Sequence, residues 1–163
     1  MTAQPIGLRA IAAHLHEEGM RLAIKAARGN PSLPFGAAIV RSADRQVMAT
    51  GVNDGDVNPT LHGEIAAMND YVARYGTQGW EETILYTTGE PCPMCMAALI
   101  WAGIGGVVYG TSIETLRRVG FDQIMIPAAA IIDAAPFYPG ELLGPVLETE
   151  TDPLFINRPM DIA

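Results

Sequence analysis

Cysteine is scarce in this chain of 163 residues: there are two, and both lie in a single Cys-x-x-Cys, Cys92 to Cys95. That scarcity excludes a scaffold stapled by disulfides. Basic side chains are also few, ten against eighteen acidic ones, for a formal net charge of −8 and no basic run. Such a surface repels phosphate backbones, so it disfavours a large nucleic-acid partner and suits a small neutral substrate. Long apolar runs are missing as well. Met96 to Ile104 and Ile124 to Ala135 are too short or too interrupted to span a bilayer. The first residues, Met1 to Gly19, carry Arg9, His14, His16, Glu17 and Glu18 and lack the apolar core of a signal peptide. No internal repeat or linker-like stretch occurs. The expectation is a cytoplasmic, non-membrane protein folded as one domain over residues 1–163, with a core over about 7–127 and a C-terminal extension over 128–163.

With hydrophobic residues at 49% and charged residues at 17%, the composition is that of a compact protein rather than a disordered one. Leu8, Ile11, Ala12, Leu15, Met20, Ala23, Ile24 and Ala27 recur near helical spacing, which predicts one helix from Gly7 to Arg28, stopped by Gly29-Asn30-Pro31. Strands are expected at Phe35–Val40 and Val47–Val52, with Ser42-Ala43-Asp44 in the turn between them. Further strands are expected at Thr83–Thr88, Gly106–Gly110 and, as a fifth, Ile124–Ile126. Helices are expected at His62–Tyr75, capped by Asn58 or Thr60, at Cys92–Ala102 and at Ser112–Val119. This order describes an α/β domain with helices covering a mixed sheet.

His62-Gly63-Glu64 and, thirty residues on, Pro91-Cys92-Pro93-Met94-Cys95 carry the chemistry. Each piece alone has a plainer reading. Cys-x-x-Cys suits a redox dithiol or half of a structural zinc knuckle, a lone His a helix cap, and a first-turn Glu a partner for the helix dipole. Together they supply His62, Cys92 and Cys95 as zinc ligands, with a carboxylate beside them that is not a ligand. Three protein ligands and an open fourth position mark a catalytic zinc, whereas a structural zinc is closed by four. Glu64 and His62, two apart on a helix, lie on different faces, yet at a helix start both can reach one small site from different sides. A carboxylate there can take a proton from the attacking water and deliver it to a ring nitrogen and then to a leaving amine. His-x-Glu followed by Pro-Cys-x-x-Cys is the pattern of zinc-dependent nucleobase deaminases.

The chain resembles the cytidine deaminase-like superfamily, and within it the guanine deaminase and tRNA adenosine deaminase branch. The resemblance runs over roughly residues 20–125 and rests on Pro34-Phe35-Gly36-Ala37, Gly51-Val52-Asn53, Asn58-Pro59-Thr60-Leu61-His62-Gly63-Glu64, Leu85 to Cys95, Trp101-Ala102 and Gly120-Phe121-Asp122. It implies a three-layer α/β/α fold with a five-stranded mixed sheet, a homodimer, and one zinc ion per chain on His62, Cys92 and Cys95. It also implies Glu64 as the proton shuttle, Asn53 bonding the ring or its sugar, Phe35 beside the base, and backbone around Gly63 and Pro91 lining the ring. The expected reaction is hydrolytic deamination of a small base or nucleoside, with guanine or a related purine or triazine favoured. The rival readings are tRNA adenosine deamination and a zinc-stabilised binding module without catalysis.

Two departures stand out. Gly63 replaces the usual Ala, which removes a methyl and loosens the backbone. Gln123, after Asp122, replaces the second of two Asp residues associated with guanine binding in this branch. An amide both donates and accepts where a carboxylate only accepts, so the ring is left open among amino-substituted purines, pyrimidines and triazines.

Overall fold

The computed structural model describes residues 4–160. A short 3-10 turn, Leu8–Ala10, precedes helix α1, Ala13–Ala27. Strands β1, Gly36–Arg41, and β2, Val47–Val52, form a hairpin, and helix α2, Gly63–Tyr75, follows. Next come β3, Thr83–Gly89, helix α3, Pro93–Ala102, and β4, Gly106–Thr111. The chain ends through α4, Ile113–Arg118, α5, Ala128–Asp133, β5, Glu141–Leu143, and α6, Glu148–Ile156. The strands form one five-stranded sheet in the order β2-β1-β3-β4-β5. β1 runs antiparallel to β2 and β3, while β3, β4 and β5 are parallel.

Period-two alternation distributes the side chains to two cores. Ile39, Leu85 and Val107 face Ala67 and Tyr71 of α2 and Met96, Leu99 and Ile100 of α3. Val40, Ile84, Tyr86 and Val108 face Met20, Ala23 and Ile24 of α1, with Leu154 of α6 against them. β3 is buried along its whole length, as a central strand covered on both faces must be. The three-layer α/β/α expectation holds.

Three local expectations are corrected. The N-terminal helix is broken: Ala12 is extended, and Leu8, wholly buried, packs over Gly106 while its amide donates to Glu141. A continuous helix would carry Leu8 away from that seat. The fifth strand is Glu141–Leu143, beside β4, and Ile124–Ile126 is an exposed loop. Neither Asn58 nor Thr60 caps α2. Asn58 instead accepts from the Thr60 amide in a local turn, and the N-cap is His62.

Glycine sets how closely α2 lies on the sheet. A Cβ on Gly51 of β2 would overlap the Ala67 amide and the Gly63 carbonyl, so only glycine allows this approach. Gly51→Ala is expected to cost about 1–3 kcal/mol through overpacking. Urea denaturation checks this, and an unchanged midpoint would contradict the contact.

Candidate zinc and substrate site

The residues expected to bind metal start two helices. His62 is the N-cap of α2 and Cys92 the N-cap of α3, both with extended backbone and neither with a side-chain cap. Their side chains are turned to each other instead. His62 Nδ1 lies 3.6 Å from Cys92 Sγ and 3.5 Å from Cys95 Sγ. All three ligand atoms fall within 4.8 Å of one another. Zinc bonds to sulfur and nitrogen at tetrahedral angles would separate S and N by about 3.6 Å, so the donor set fits this metal as it stands. Both helix N-termini direct partial positive charge at the cluster, which favours thiolate.

The same contacts shape the protonation of the metal-free cluster. A hydrogen bond from Cys95, aided by His62, pulls the Cys92 thiol down to about 4 against the opposing effect of burial. Cys95 is pushed up by that bond and by burial, and His62 is raised by its bond to Cys92. The cluster thus favours a thiolate at Cys92, and a bound dication would displace the proton of Cys95.

Glu64 sits one turn-position inside α2 and is 3% exposed. Burial raises its pKa, opposed by a backbone hydrogen bond and by Thr87. The Thr87 hydroxyl is 2.9 Å from Glu64 Oε1 and 3.1 Å from the Gly89 carbonyl. Its single proton has two acceptors, so it can serve Glu64 when ionised and turn to Gly89 when Glu64 is protonated.

A cavity of about 420 Å³ opens onto this cluster, lined by His62, Glu64 and Cys92 at its base. Phe35, Asn53, Asp122 and Gln123 also line it. Asn53 Oδ1 accepts from the Gly55 amide, which leaves its Nδ2 as the group offered to a ligand. Gln123 Nε2 donates to the Asp122 carbonyl. Phe35 lines the cavity and also packs on Phe121 and Phe155 at 5.2 and 4.9 Å.

Gly63 and Pro91 are not among the residues that line the cavity. Both are buried, and Gly63 abuts the Phe35 carbonyl, which a Cβ would overlap. The glycine therefore tightens the packing of α2 on β1 rather than loosening the backbone. Leu33, Asp56, Pro59, Glu90 and Phe121, none of them expected as a site residue, also line the cavity. Glu90 is buried, and its two carboxylate oxygens accept from the amides of Ile113 and Ala128. Glu90 thereby ties α4 and α5 to the turn that carries Cys92. Its adjacency to Pro91-Cys92 was the only signal in the sequence, because its partners are remote.

Residues 13–111 match the family described as the cytidine and deoxycytidylate deaminase zinc-binding region. The chain belongs to this family. Zinc is the family's metal, and His62, Cys92 and Cys95 form the potential zinc site. The probable cytosine deaminase of Schizosaccharomyces pombe is 36% identical over 140 residues, 80% of this chain and 84% of that protein. The guanine deaminase of Bacillus subtilis is 37% identical over 95 residues, 57% of this chain and 60% of that protein. The structure of guanine deaminase from Nitrosomonas europaea superposes with a TM-score of 0.72 at 22% identity, covering 94% of this chain and 87% of that one, a likeness of fold. Among the described residues, no helix is long and apolar enough to cross a membrane.

Zinc content tests the ligand set. Cys92→Ala is expected to fall from about one ion per chain to well below half, because three-ligand sites lose affinity steeply with a ligand. Elemental analysis after dialysis checks this, and full retention would remove Cys92 from the set.

Proposed function

We propose that this chain catalyses zinc-dependent hydrolytic deamination of an amino-substituted nucleobase or nucleoside, releasing ammonia, with guanine or a related purine or triazine as the favoured ring. The observation that carries the reading is Glu64, a buried carboxylate beside the three ligands and on the wall of the cavity. A binding module stabilised by zinc needs no such group, and burying one is costly without a task or a partner.

When bound, zinc supplies the Lewis acidity that ionises water near neutral pH. Glu64 receives the proton from the attacking water and passes it to a ring nitrogen. It then takes the proton of the hydroxyl newly added to the ring carbon and delivers it to the exocyclic amine, so that the carbon–nitrogen bond breaks, a carbonyl forms and ammonia leaves. Thr87 keeps the carboxylate oriented through this exchange. Phe35 and Phe121 offer aromatic walls to a flat ring, and Asn53 offers an N–H donor to a ring nitrogen or carbonyl. Asp122 and Gln123 stand at the mouth, where a second exocyclic amine would find acceptors.

A second copy of the chain is the partner we infer, through the outer face of α3. Residues 91–113 and 123–132 contain no charged side chain. α3 is apolar all round: one face is buried, while the other carries Trp101, 79% exposed and stacked at 5.3 Å on Phe137. Ile124, Met125 and Ile126 add exposed apolar surface just ahead of α5. Two copies of a chain with net charge −8 repel one another except where charge is lacking, which favours this face for a two-fold contact. We place the protein in the cytoplasm, where its two thiols stay reduced.

Glu64→Gln is expected to keep its zinc and fold and to lose ammonia release by about 10²–10⁴-fold. The assay spans guanine, adenine, cytosine, their nucleosides and amino-triazines, and unchanged turnover would remove Glu64 from the mechanism. Trp101→Glu is expected to shift the protein from dimer to monomer in sedimentation with zinc retained. A monomeric parent protein would refute the interface.

A further inference from the structure

The cavity over the zinc cluster does not end at the base pocket. A second cavity of about 560 Å³ adjoins it and shares two lining residues with it, Leu33 and Asp56. The other walls are Asn30, Ser32, Arg158, Pro159 and Met160. Resting on the deaminase reading above, we propose that this annex is a ribose subsite and that the substrate enters as a nucleoside.

The annex is built onto the base pocket at two points. Asn30 donates from Nδ2 to the Asn53 carbonyl at 2.9 Å and accepts from the Leu33 amide at 3.2 Å, so the loop lining the annex is tied to the residue offered to the ring. Arg158 stacks its guanidinium 3.7 Å above the Phe121 ring. Its Nη1 donates to the carbonyls of Val119 and Phe155 at 3.2 and 2.9 Å. Those bonds fix the guanidinium plane between the aromatic wall of the base pocket and the annex, with Nε and Nη2 making no hydrogen bond among the described residues.

The chemistry of the walls selects a neutral sugar. Asp56 accepts, Arg158 donates and Ser32 does both, which matches hydroxyl groups that each donate and accept. A phosphate would meet Asp56 and a chain of net charge −8 against one guanidinium, so the nucleoside is preferred over its 5′-monophosphate.

Ammonia release is measured on matched sets: guanine, guanosine and GMP, and the adenine and cytosine counterparts. For the ring that is accepted, kcat/KM for the ribonucleoside is expected to equal or exceed that for the base and to exceed that for the monophosphate. Ser32→Trp, which fills the annex, is expected to lower the nucleoside value by about tenfold or more while the base stays within about twofold. Asp56→Asn, nearly isosteric, is expected to raise KM for the nucleoside by about tenfold with kcat kept. Turnover of the base without the nucleoside would overturn the subsite and leave the deaminase reading standing, as would equal losses on both substrates in Ser32→Trp. A monophosphate used better than the nucleoside would overturn the neutral-sugar assignment. Failure of every base and nucleoside would instead bring down the deaminase reading itself.

Discussion

Two helices of this protein begin at their own metal ligands, and much of the site follows from that. An N-cap side chain ordinarily turns back to satisfy an orphan amide of the first turn. His62 and Cys92 forgo this and face each other, so the free amides and the dipoles of α2 and α3 are directed at one small volume. The arrangement requires that the ends of the two helices be brought within van der Waals distance. β2 and β3, which flank β1 and both run antiparallel to it, end at the same edge of the sheet and deliver α2 and α3 side by side. Once His62 is the N-cap, Glu64 falls inside the first turn and is carried under the sheet edge toward Thr87. Spacing of one residue more or less would turn that carboxylate away.

The metal motif was legible because ligand chemistry is local: its residues lie in two short segments, and helix starts are marked by the loops before them. The alternation of β1 and β3 was legible for the same reason. What was not legible depends on contacts between distant parts of the chain. Leu8 breaks the N-terminal helix in order to reach Gly106, nearly a hundred residues away. The fifth strand is a run of three residues recruited by β4, while Ile124–Ile126, richer in β-branched side chains, stays outside the sheet. Propensity favoured the wrong segment because edge pairing is decided by the neighbouring strand. Glu90 reads as an ordinary loop acid, and only the fold shows it gripping the amides of Ile113 and Ala128.

The C-terminal third also has a part in the site. Phe155 of α6 is wholly buried and meets both Phe35 and Phe121, the two rings on the cavity wall. The wall is thus backed by a segment outside the residues that match the family. The pocket therefore takes its floor from the zinc motif and part of its sides, Phe121, Asp122 and Gln123, from residues beyond the family match.

Gly63 bears on how the start of α2 can be altered. With the Phe35 carbonyl pressed against it, an alanine cannot be placed at this position unless the backbone entering β1 withdraws. The two segments are therefore sterically coupled: a side chain at position 63 and the path of residues 35–36 cannot be changed independently. A chimera that exchanges the zinc motif with a relative should carry the start of β1 along with it.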